Sequence, residues 1–149
     1  MTDYFCNEGP LRPGNAVAAL IILDDGRYLM QLRDQKPGIF YPGHWGLFGG
    51  ALDPGESGEA ALTRELEEEL GMQGAVGRYV TDLTFAFGHF GRIVRHFYEV
   101  RIAASVISGL TIREGREMRP FAAHEILTQP RVVAYDSFAI WMHARGLLG

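Results

Sequence analysis

GALDPGESGEAALTRELEEELGM, residues 50–72, places four glutamates within five consecutive positions of a predicted helix. Ser57 is a suitable residue to cap the amino terminus of this helix, because a serine hydroxyl accepts a hydrogen bond from a free backbone N–H. Gly71 follows the last periodic apolar residue, Leu70, and suits the left-handed conformation in which many helices end. The pattern therefore predicts a helix that is capped by Ser57 and ends at Leu70.

Three of the four glutamates are expected on one face of this helix. At about 100° per residue, Glu65, Glu68 and Glu69 lie side by side, whereas Glu67 points elsewhere. A neighbouring apolar stripe, which we expect to pack on a sheet, consists of Leu62, Leu66 and Leu70. Carboxylates at these spacings repel one another by about 0.2–0.5 kcal/mol per pair, and only Arg64 offers compensation nearby. The cluster favours a site for hard divalent cations such as Mg²⁺ or Mn²⁺ over a merely solvated helix face.

The sequence before the helix predicts a strand, a tight turn and a second strand. Val17 to Leu23 is apolar and includes β-branched residues, as expected for a buried strand. Tyr28 to Leu32 follows shortly after Asp25-Gly26, a dipeptide that is typical of β-hairpin turns. Residues 34–44 contain two prolines and two glycines, which excludes a regular helix or a central strand and predicts a loop that faces the ligand.

After the helix, further strands are expected at Gly77 to Phe87 and Ile93 to Ile102, with a glycine-bounded turn between them. A strand near Met118 to Phe121 precedes two helical segments, Ala122 to Leu127 and Tyr135 to Arg145. The second segment carries large apolar residues at helical spacing, which we expect in the core, namely Phe138, Trp141 and Met142. This order of elements predicts an α/β fold with a mixed sheet that helices cover on both faces.

Length and charge limit the classes of function that are compatible with the sequence. The chain has 149 residues, 47% hydrophobic side chains and a formal net charge of −4, which suits one globular domain over residues 1–149. Residues 50–72 hold seven carboxylates against one arginine. The whole chain has a single lysine and scattered arginines, without the dense basic field that long nucleic-acid tracts require. Extended RNA or DNA is therefore disfavoured, and a homodimer is among the oligomeric states that the sequence leaves open.

Nothing in the sequence resembles a membrane segment or a secretion leader. The longest apolar run, Ala16 to Leu23, has eight residues, whereas a membrane-spanning helix needs about 20. The amino-terminal residues contain carboxylates and prolines rather than a basic and then apolar leader. Cys6 is the only cysteine, which excludes an internal disulfide and suits a reducing cytosol. We therefore expect a cytoplasmic protein without membrane contact.

The spacing within residues 50–72 resembles a complete Nudix box. It consists of Gly50, five residues, Glu56, seven residues, and then RELEEELGM from Arg64 to Met72. The segment from Trp45 to Gly50 and the predicted hairpin extend the similarity over roughly the first half of the chain. The resemblance implies a Nudix-like α/β/α sandwich that hydrolyses a nucleoside diphosphate linked to another group, with Mg²⁺ or Mn²⁺ as cofactor.

The resemblance also implies roles for individual residues of the predicted metal site. Glu68 and Glu69 match the metal-ligand pair of the family. Glu65 matches a residue that either binds metal or orients the attacking water, and the sequence leaves both roles open. In similar proteins the backbone carbonyl at the position of Gly49 is a further metal ligand. We expect Glu69 to be the least replaceable of these residues.

Two further groups of charged residues are expected to assist catalysis. Arg64 lies four residues before Glu68, so it is better placed to hold carboxylates than to bind substrate, and we expect Glu56 to pair with it. Among relatives the catalytic base differs, and a glutamate from a later loop sometimes serves. Glu114 and Glu117 are the candidates here, with Glu117 ranked ahead, and plain surface charge is the competing interpretation of both.

Residues upstream of the box are candidates for binding the substrate. Arg33, at the end of the second predicted strand, is placed to contact a phosphate, although a solvated arginine is an equally good interpretation. Phe40, Tyr41 and Trp45 offer aromatic faces on which a base or sugar can stack. We expect at least one of these aromatics to be buried in the core instead, and Trp45 is the first candidate for that.

The leading functional hypothesis is a metal-dependent pyrophosphohydrolase with a small nucleotide-derived substrate. A nucleotide-sugar hydrolase and a housecleaning enzyme for damaged nucleoside triphosphates fit the sequence equally well. A domain that binds a nucleotide metabolite as a sensor, without turnover, is a hypothesis of another class. It is disfavoured because such relatives often have eroded boxes, whereas this sequence keeps every acidic position. An isomerase related to isopentenyl diphosphate isomerases is disfavoured further, since Cys6 lies outside any plausible catalytic position.

Overall fold

The computed structural model describes residues 14–86 and 91–148. In this part of the chain seven strands form one mixed sheet. They are β1 (Ala16–Leu23), β2 (Tyr28–Leu32), β3 (Trp45–Gly46), β4 (Phe48–Ala51), β5 (Arg78–Ala86), β6 (Arg92–Ile102) and β7 (Glu117–Phe121). The helices are α1 (Gly58–Leu70), α2 (Ala123–Leu127) and α3 (Ala134–Ala144), with a short 3₁₀ helix at Ala104–Gly109.

Strand β1 lies in the middle of the sheet. Its pairing with β6 is parallel and runs along its whole length, from Ala16 opposite Arg95 to Leu23 opposite Ile102. On its other edge, β4 pairs with the first half of β1 and β2 pairs with the end, both antiparallel. Strand β5 extends the sheet beyond β6, while β3 and β7 pair with β2. The start of β1 is therefore flanked by β4 and β6.

The side chains of β1 alternate between two cores, because successive residues of a strand point to opposite faces of a sheet. The core beneath α1 includes Val17, Ala19, Ile21, Leu62, Leu66 and Leu70. The core beneath α2 and α3 includes Ala18, Leu20, Ile22, Ile126, Ala139 and Ile140. Helices on both faces of the mixed sheet confirm the α/β/α sandwich that the sequence predicted.

The structure confirms the predicted start of the fold and both ends of α1. The Ser57 hydroxyl accepts a hydrogen bond from the backbone N–H of Ala60 at 3.2 Å. Gly71 ends the helix with φ at +67°, a left-handed conformation that glycine adopts without steric penalty. Strands β3 and β4 were not predicted, because they are short, and β4 contains two glycines, which are depleted in strands.

The prediction that Phe138 and Trp141 belong to the core is wrong. Phe138 is 47% exposed and Trp141 is 38% exposed, and their rings stack on the outer face of α3 with centroids 6.2 Å apart. Met142 is only half-buried. The residues of α3 that are buried are Tyr135, Asp136, Ala139 and Ile140. Spacing alone identified the helix but not the face that docks on the sheet.

Some of the predictions fall on residues that the structure does not describe. The thiol of Cys6, the turn predicted between β5 and β6, and the end of the strand predicted at Phe87 all lie outside the described ranges. Among the helices within those ranges, none has the length and apolar character that crossing a bilayer requires.

Candidate functional site

A pocket of about 450 Å³ opens where the start of β1 meets β4 and β6. Its lining combines two groups of side chains that differ in charge. We call the first group the acidic wall, which consists of Glu65, Glu68, Glu69 and Glu114. We call the second group the arginine wall, which consists of Arg33, Phe40, Leu47, Ile93, Arg95 and Tyr135.

Glu69 is the most buried carboxylate of the acidic wall, with 4% of its surface exposed. Its Oε2 accepts a hydrogen bond from the backbone N–H of Gly49 at 3.0 Å. Burial raises the pKa of Glu69 to about 8, and the negative charges of Glu65 and Glu114 raise it in the same direction. The nearby Arg33 lowers this pKa without reversing the shift. Desolvation is thus the main reason that this carboxyl resists ionisation, and a cation beside it would favour the charged form.

Two glycines of β4 allow the sheet to approach the acidic helix closely. Gly49 has φ at +146°, and a Cβ atom there would overlap the backbone carbonyl of Val17 on β1. A Cβ atom at Gly50 would lie 2.5 Å from Oε1 of Glu65. Glycine is therefore required at position 49, where a side chain would meet the backbone of β1, whereas a side chain at position 50 would displace the carboxylate of Glu65.

Glu65 and Glu68 lie at different depths in the acidic wall. The side chain of Glu65 is 12% exposed and that of Glu68 is 54% exposed. Burial raises the pKa of Glu65, and the hydrogen bond from Arg64 opposes this shift. Glu67 is exposed and accepts a hydrogen bond from the Gln73 amide instead. The structure thus confirms the predicted facing of the four glutamates.

Arg64 holds the acidic wall together from outside the pocket lining. Its Nε–H and Nη2–H donate to the two carboxylate oxygens of Glu56, each at 2.8 Å. Its Nη1–H donates to Glu65 at 2.9 Å and to Glu68 at 3.3 Å. The paired Arg64 lowers the pKa of Glu56 to about 2, and the pKa of Arg64 is raised in turn. This network confirms the predicted partnership of Arg64 and Glu56.

Of the two later glutamates, the structure brings Glu114 to the pocket and leaves Glu117 outside its lining. The backbone N–H of Arg113 donates to the carbonyl of Glu69 at 2.8 Å, which fixes this loop against the last turn of α1. Glu114 follows directly, whereas Glu117 is already part of β7, opposite Leu32. The ranking of Glu117 ahead of Glu114 therefore disagrees with the geometry, because the loop ends before Glu117.

Two of the predicted substrate-binding residues line the pocket and two do not. Arg33 and Phe40 both line it, and the Arg33 Nε–H donates to the Phe40 carbonyl at 2.8 Å. Trp45 is buried in the core beneath α2 and α3, with its ring edge-on to Phe121 at 4.8 Å. Tyr41 is buried behind Tyr135, with ring centroids 5.5 Å apart. Trp45 is therefore a core residue, as expected, and Tyr41 is buried as well.

Reasoning from sequence missed the interior of the arginine wall. Arg95, on β6, donates from Nη2 to Oδ1 of Asp136 on α3 at 3.0 Å. Asp136 also accepts the backbone N–H of Leu47 at 2.9 Å. Tyr135 lies beneath Arg95, and burial raises its pKa to about 12. The available signal was an arginine within the strand predicted at Ile93 to Ile102, since an arginine that is buried requires a partner.

The fold and the box geometry agree with comparisons against known proteins. A family model described as the NUDIX domain matches residues 12–141. The chain belongs to the Nudix family. This confirms the resemblance that was based on the spacing of residues 50–72. The matched residues include every member of both pocket walls.

Relatives of this Nudix domain include proteins with known names and structures. The nucleoside triphosphatase NudI of Escherichia coli is 49% identical over 53 residues, which cover 36% of this chain and 37% of NudI. The MutT protein of Methanosarcina mazei superposes with a TM-score of 0.76 at 22% identity, over 91% of this chain and 96% of that one. The NUDIX domain of Shewanella oneidensis NrtR, solved with ADP-ribose, has a TM-score of 0.69 at 20% identity, over 90% and 87% of the two chains.

The donor set of the acidic wall suits a hard divalent cation. Within residues 14–86 and 91–148, no three carboxylate, histidine or cysteine side chains are grouped tightly enough to enclose an ion. Mg²⁺ does not need such an enclosure, since it usually keeps several waters and binds one or two carboxylates together with substrate phosphates. Burial is the main cause of the raised pKa of Glu69, and the charges of Glu65 and Glu114 add to it, so a cation bound there would favour the ionised carboxylate.

Proposed function

We propose that this Nudix domain is a divalent-metal-dependent pyrophosphohydrolase, which hydrolyses a phosphoanhydride of a small nucleotide derivative by attack of water at phosphorus. One observation carries the proposal, namely that the buried Glu69 shares a pocket with Glu65, Glu68 and the cationic Arg33. A diphosphate is an anion and would be repelled by carboxylates alone. A divalent cation held by Glu65, Glu68 and Glu69 would offset that repulsion, so an acidic wall and an anionic substrate would be compatible.

The residues that would hold Mg²⁺ or Mn²⁺ are Glu65, Glu68, Glu69 and the backbone carbonyl of Gly49. When bound, such an ion polarises phosphoryl oxygens and lowers the pKa of a coordinated water. The protein holds these three carboxylates and the Gly49 carbonyl in position. The bidentate bond between Arg64 and Glu56, together with the bonds from Arg64 to Glu65 and Glu68, fixes them before any ligand binds.

Other side chains of the pocket serve the substrate and the attacking water. Arg33 donates hydrogen bonds to a phosphate of the substrate, since among the described residues only its Nε–H has an acceptor, the Phe40 carbonyl. Glu114 accepts the proton of the attacking water, and its position in the pocket lining supports it over Glu117. The phosphoanhydride bond breaks as the new bond from water oxygen to phosphorus forms.

Among the substrate classes that the sequence left open, a nucleoside triphosphate has the most support. The support is the 49% identity over 53 residues to the nucleoside triphosphatase NudI. A nucleotide sugar is the second candidate within the same chemistry. A sensor without turnover is disfavoured because the complete acidic wall would then have no use.

Hydrolysis in ¹⁸O-labelled water tests this proposal. A panel of nucleoside triphosphates, nucleotide sugars and dinucleoside polyphosphates is incubated with Mg²⁺ or Mn²⁺, and the products are analysed by mass spectrometry. We expect a nucleoside monophosphate or pyrophosphate with the label on phosphorus. Label on carbon, or turnover that persists after chelation of the metal, would contradict the proposal.

A further inference from the structure

Arg95 has more hydrogen-bond donors than its surroundings satisfy. Its side chain is 12% exposed and lines the pocket, and its Nη2–H donates to Asp136 at 3.0 Å. Its Nε is buried and has no acceptor among the residues that the structure describes. A guanidinium carries five N–H donors in a planar fork, and a buried donor without an acceptor is unfavourable. Asp136 thus holds Arg95 in place, and because the Nε–H is buried, only the Nη1 and Nη2 groups are left to donate to a ligand.

The charge of Arg95 is already compensated within the protein. Asp136 has 3% of its side chain exposed, and it is held from the other side by the backbone N–H of Leu47. The guanidinium also lies 4.6 Å from the centre of the Tyr135 ring. Because Asp136 neutralises this arginine at close range, Arg95 offers directional donors without a strong net attraction for a further anion.

Arg33 differs from Arg95 in this respect. Its Nε–H donates to the neutral carbonyl of Phe40, and within residues 14–86 and 91–148 it forms no ion pair with a carboxylate. Arg33 interacts with Glu69 only at longer range, where it lowers the pKa of that carboxyl, so its charge suits a phosphate group. The compensated Arg95 suits a neutral acceptor, and Ile93 and Leu47 supply apolar surface in the same pocket.

We propose that Arg95 is a specificity-determining residue that donates a hydrogen bond to a carbonyl oxygen of the substrate's nucleobase, in a subsite bordered by Ile93 and Leu47. The inference rests on the proposed function in one respect, namely that the ligand is a nucleotide. A purine with oxygen at its sixth position accepts from the guanidinium. Adenine has an amino group there, and two donors would face each other.

Equilibrium binding of inosine monophosphate and adenosine monophosphate, measured by calorimetry with Mg²⁺ present, tests the inference, since neither nucleotide has a phosphoanhydride bond to hydrolyse. The two nucleotides have nearly the same size and the same charge. Inosine has a carbonyl at the sixth position and an N1–H, whereas adenosine has an amino group and an unprotonated N1. We expect the wild type to bind inosine monophosphate at least about tenfold more tightly, on the scale of one hydrogen bond from a charged donor. Arg95→Lys keeps the positive charge beside Asp136 but removes the planar fork, so the ratio is expected to fall to about threefold or less.

A matched control separates recognition of the base from a purely structural role. Arg92→Lys makes the same change on the same strand, outside the pocket lining, and is expected to leave the ratio unchanged. Should Arg95→Lys fail to fold, the double variant Arg95→Gln, Asp136→Asn removes both charges together and is expected to lose the preference in the same way. Since both nucleotides are measured on each variant, a general loss of stability does not alter their ratio.

The outcomes distinguish this inference from the proposed hydrolase. Equal binding of the two nucleotides by the wild type, binding of neither, or a ratio that survives in Arg95→Lys would overturn the role of Arg95. None of these results affects whether water attacks phosphorus. Conversely, a clear preference for inosine monophosphate in a protein that hydrolyses nothing supports the role of Arg95 and refutes the hydrolase.

Discussion

The acidic wall and the arginine wall are built by contacts of different range along the chain. All hydrogen bonds of the Arg64 guanidinium reach partners at most 13 residues away. The bond between Arg95 and Asp136 joins residues 41 positions apart, and the bond from Leu47 to Asp136 spans 89. The three α1 glutamates of the acidic wall are therefore set by a helix and the turn before it. Glu114 depends on the contact of its loop with α1, and Arg95 depends on the docking of α3 on the sheet.

This difference predicts different consequences of mutation for the two walls. In the acidic wall, carboxylates repel one another and are costly to bury, and under the proposed function they serve to bind a cation rather than to stabilise the fold. In the arginine wall, the buried pair is part of the packing between β6 and α3. We expect changes in the arginine wall to alter the free energy of unfolding, and changes in the acidic wall to alter turnover and metal binding.

The largest effect on stability is expected from Asp136→Ala. This change leaves the charge of Arg95 and the N–H of Leu47 without their buried acceptor, and breaking a buried pair in this way costs about 3–5 kcal/mol. The measurement is the free energy of unfolding in urea. Asp82→Ala is the matched control, since Asp82 pairs with His96 at the surface and is 44% exposed. If Asp136→Ala and Asp82→Ala lower the free energy of unfolding equally, the arginine wall does not stabilise the fold as we expect.

The largest effect on turnover is expected from Glu69→Gln in the acidic wall. Loss of this buried carboxylate should lower turnover at least about 10²-fold, the scale of removing a positioned charge at the reacting centre. Steady-state kinetics with saturating metal measure the effect. Glu67→Gln, on the same helix but outside the pocket lining, should stay close to wild type. Near-normal turnover of Glu69→Gln would remove Glu69 from the mechanism.

The contrast in contact range also explains what could be predicted from the sequence. The caps of α1, the facing of its glutamates and the pairing of Arg64 with Glu56 depend on spacing within one segment. The burial of Asp136 and the exposure of Phe138 depend on how α3 docks, which hydrophobic spacing does not determine. The position of Glu114 follows from a backbone bond to Glu69, which no sequence pattern indicates.

A pH series should distinguish the walls in the absence of metal. The pKa of Glu69 rises from its ordinary value of 4.5 to about 8 in the folded protein, because the carboxyl is buried. The folded state therefore holds a proton that the unfolded state has lost, and stability falls as pH rises from about 4.5 through 8. The unfolding free energy of Glu69→Gln should decline less over this window. Glu59→Gln, an exposed change on the same helix, should follow wild type, and parallel curves for all three proteins would refute the assignment.

The smallest effect is expected on the outer face of α3. Phe138 is 47% exposed, so Phe138→Ala removes little buried surface and should cost less than about 1 kcal/mol. Leu66→Ala is the comparison on α1, where a fully buried leucine should cost about 2–5 kcal/mol. Thermal melts of both variants give the two values. A larger loss for Phe138→Ala than for Leu66→Ala would show that the faces of α3 are wrongly assigned.

The central claim is that the carboxylates of α1 form a metal site, and the stabilisation of the folded protein by divalent cations tests it most directly. Wild type should gain about 2.7 kcal/mol of unfolding free energy when Mg²⁺ or Mn²⁺ exceeds its Kd a hundredfold. The double variant Glu68→Gln, Glu69→Gln should be as stable as wild type without metal, or slightly more stable, and should lose most of this gain.

Glu59→Gln, Glu67→Gln removes the same number of carboxyl groups from the same helix outside the pocket lining, and should keep the gain. Na⁺ at matched ionic strength controls for screening. Equal divalent-ion shifts in wild type and in Glu68→Gln, Glu69→Gln, or no shift beyond the Na⁺ control in wild type, would contradict the claim.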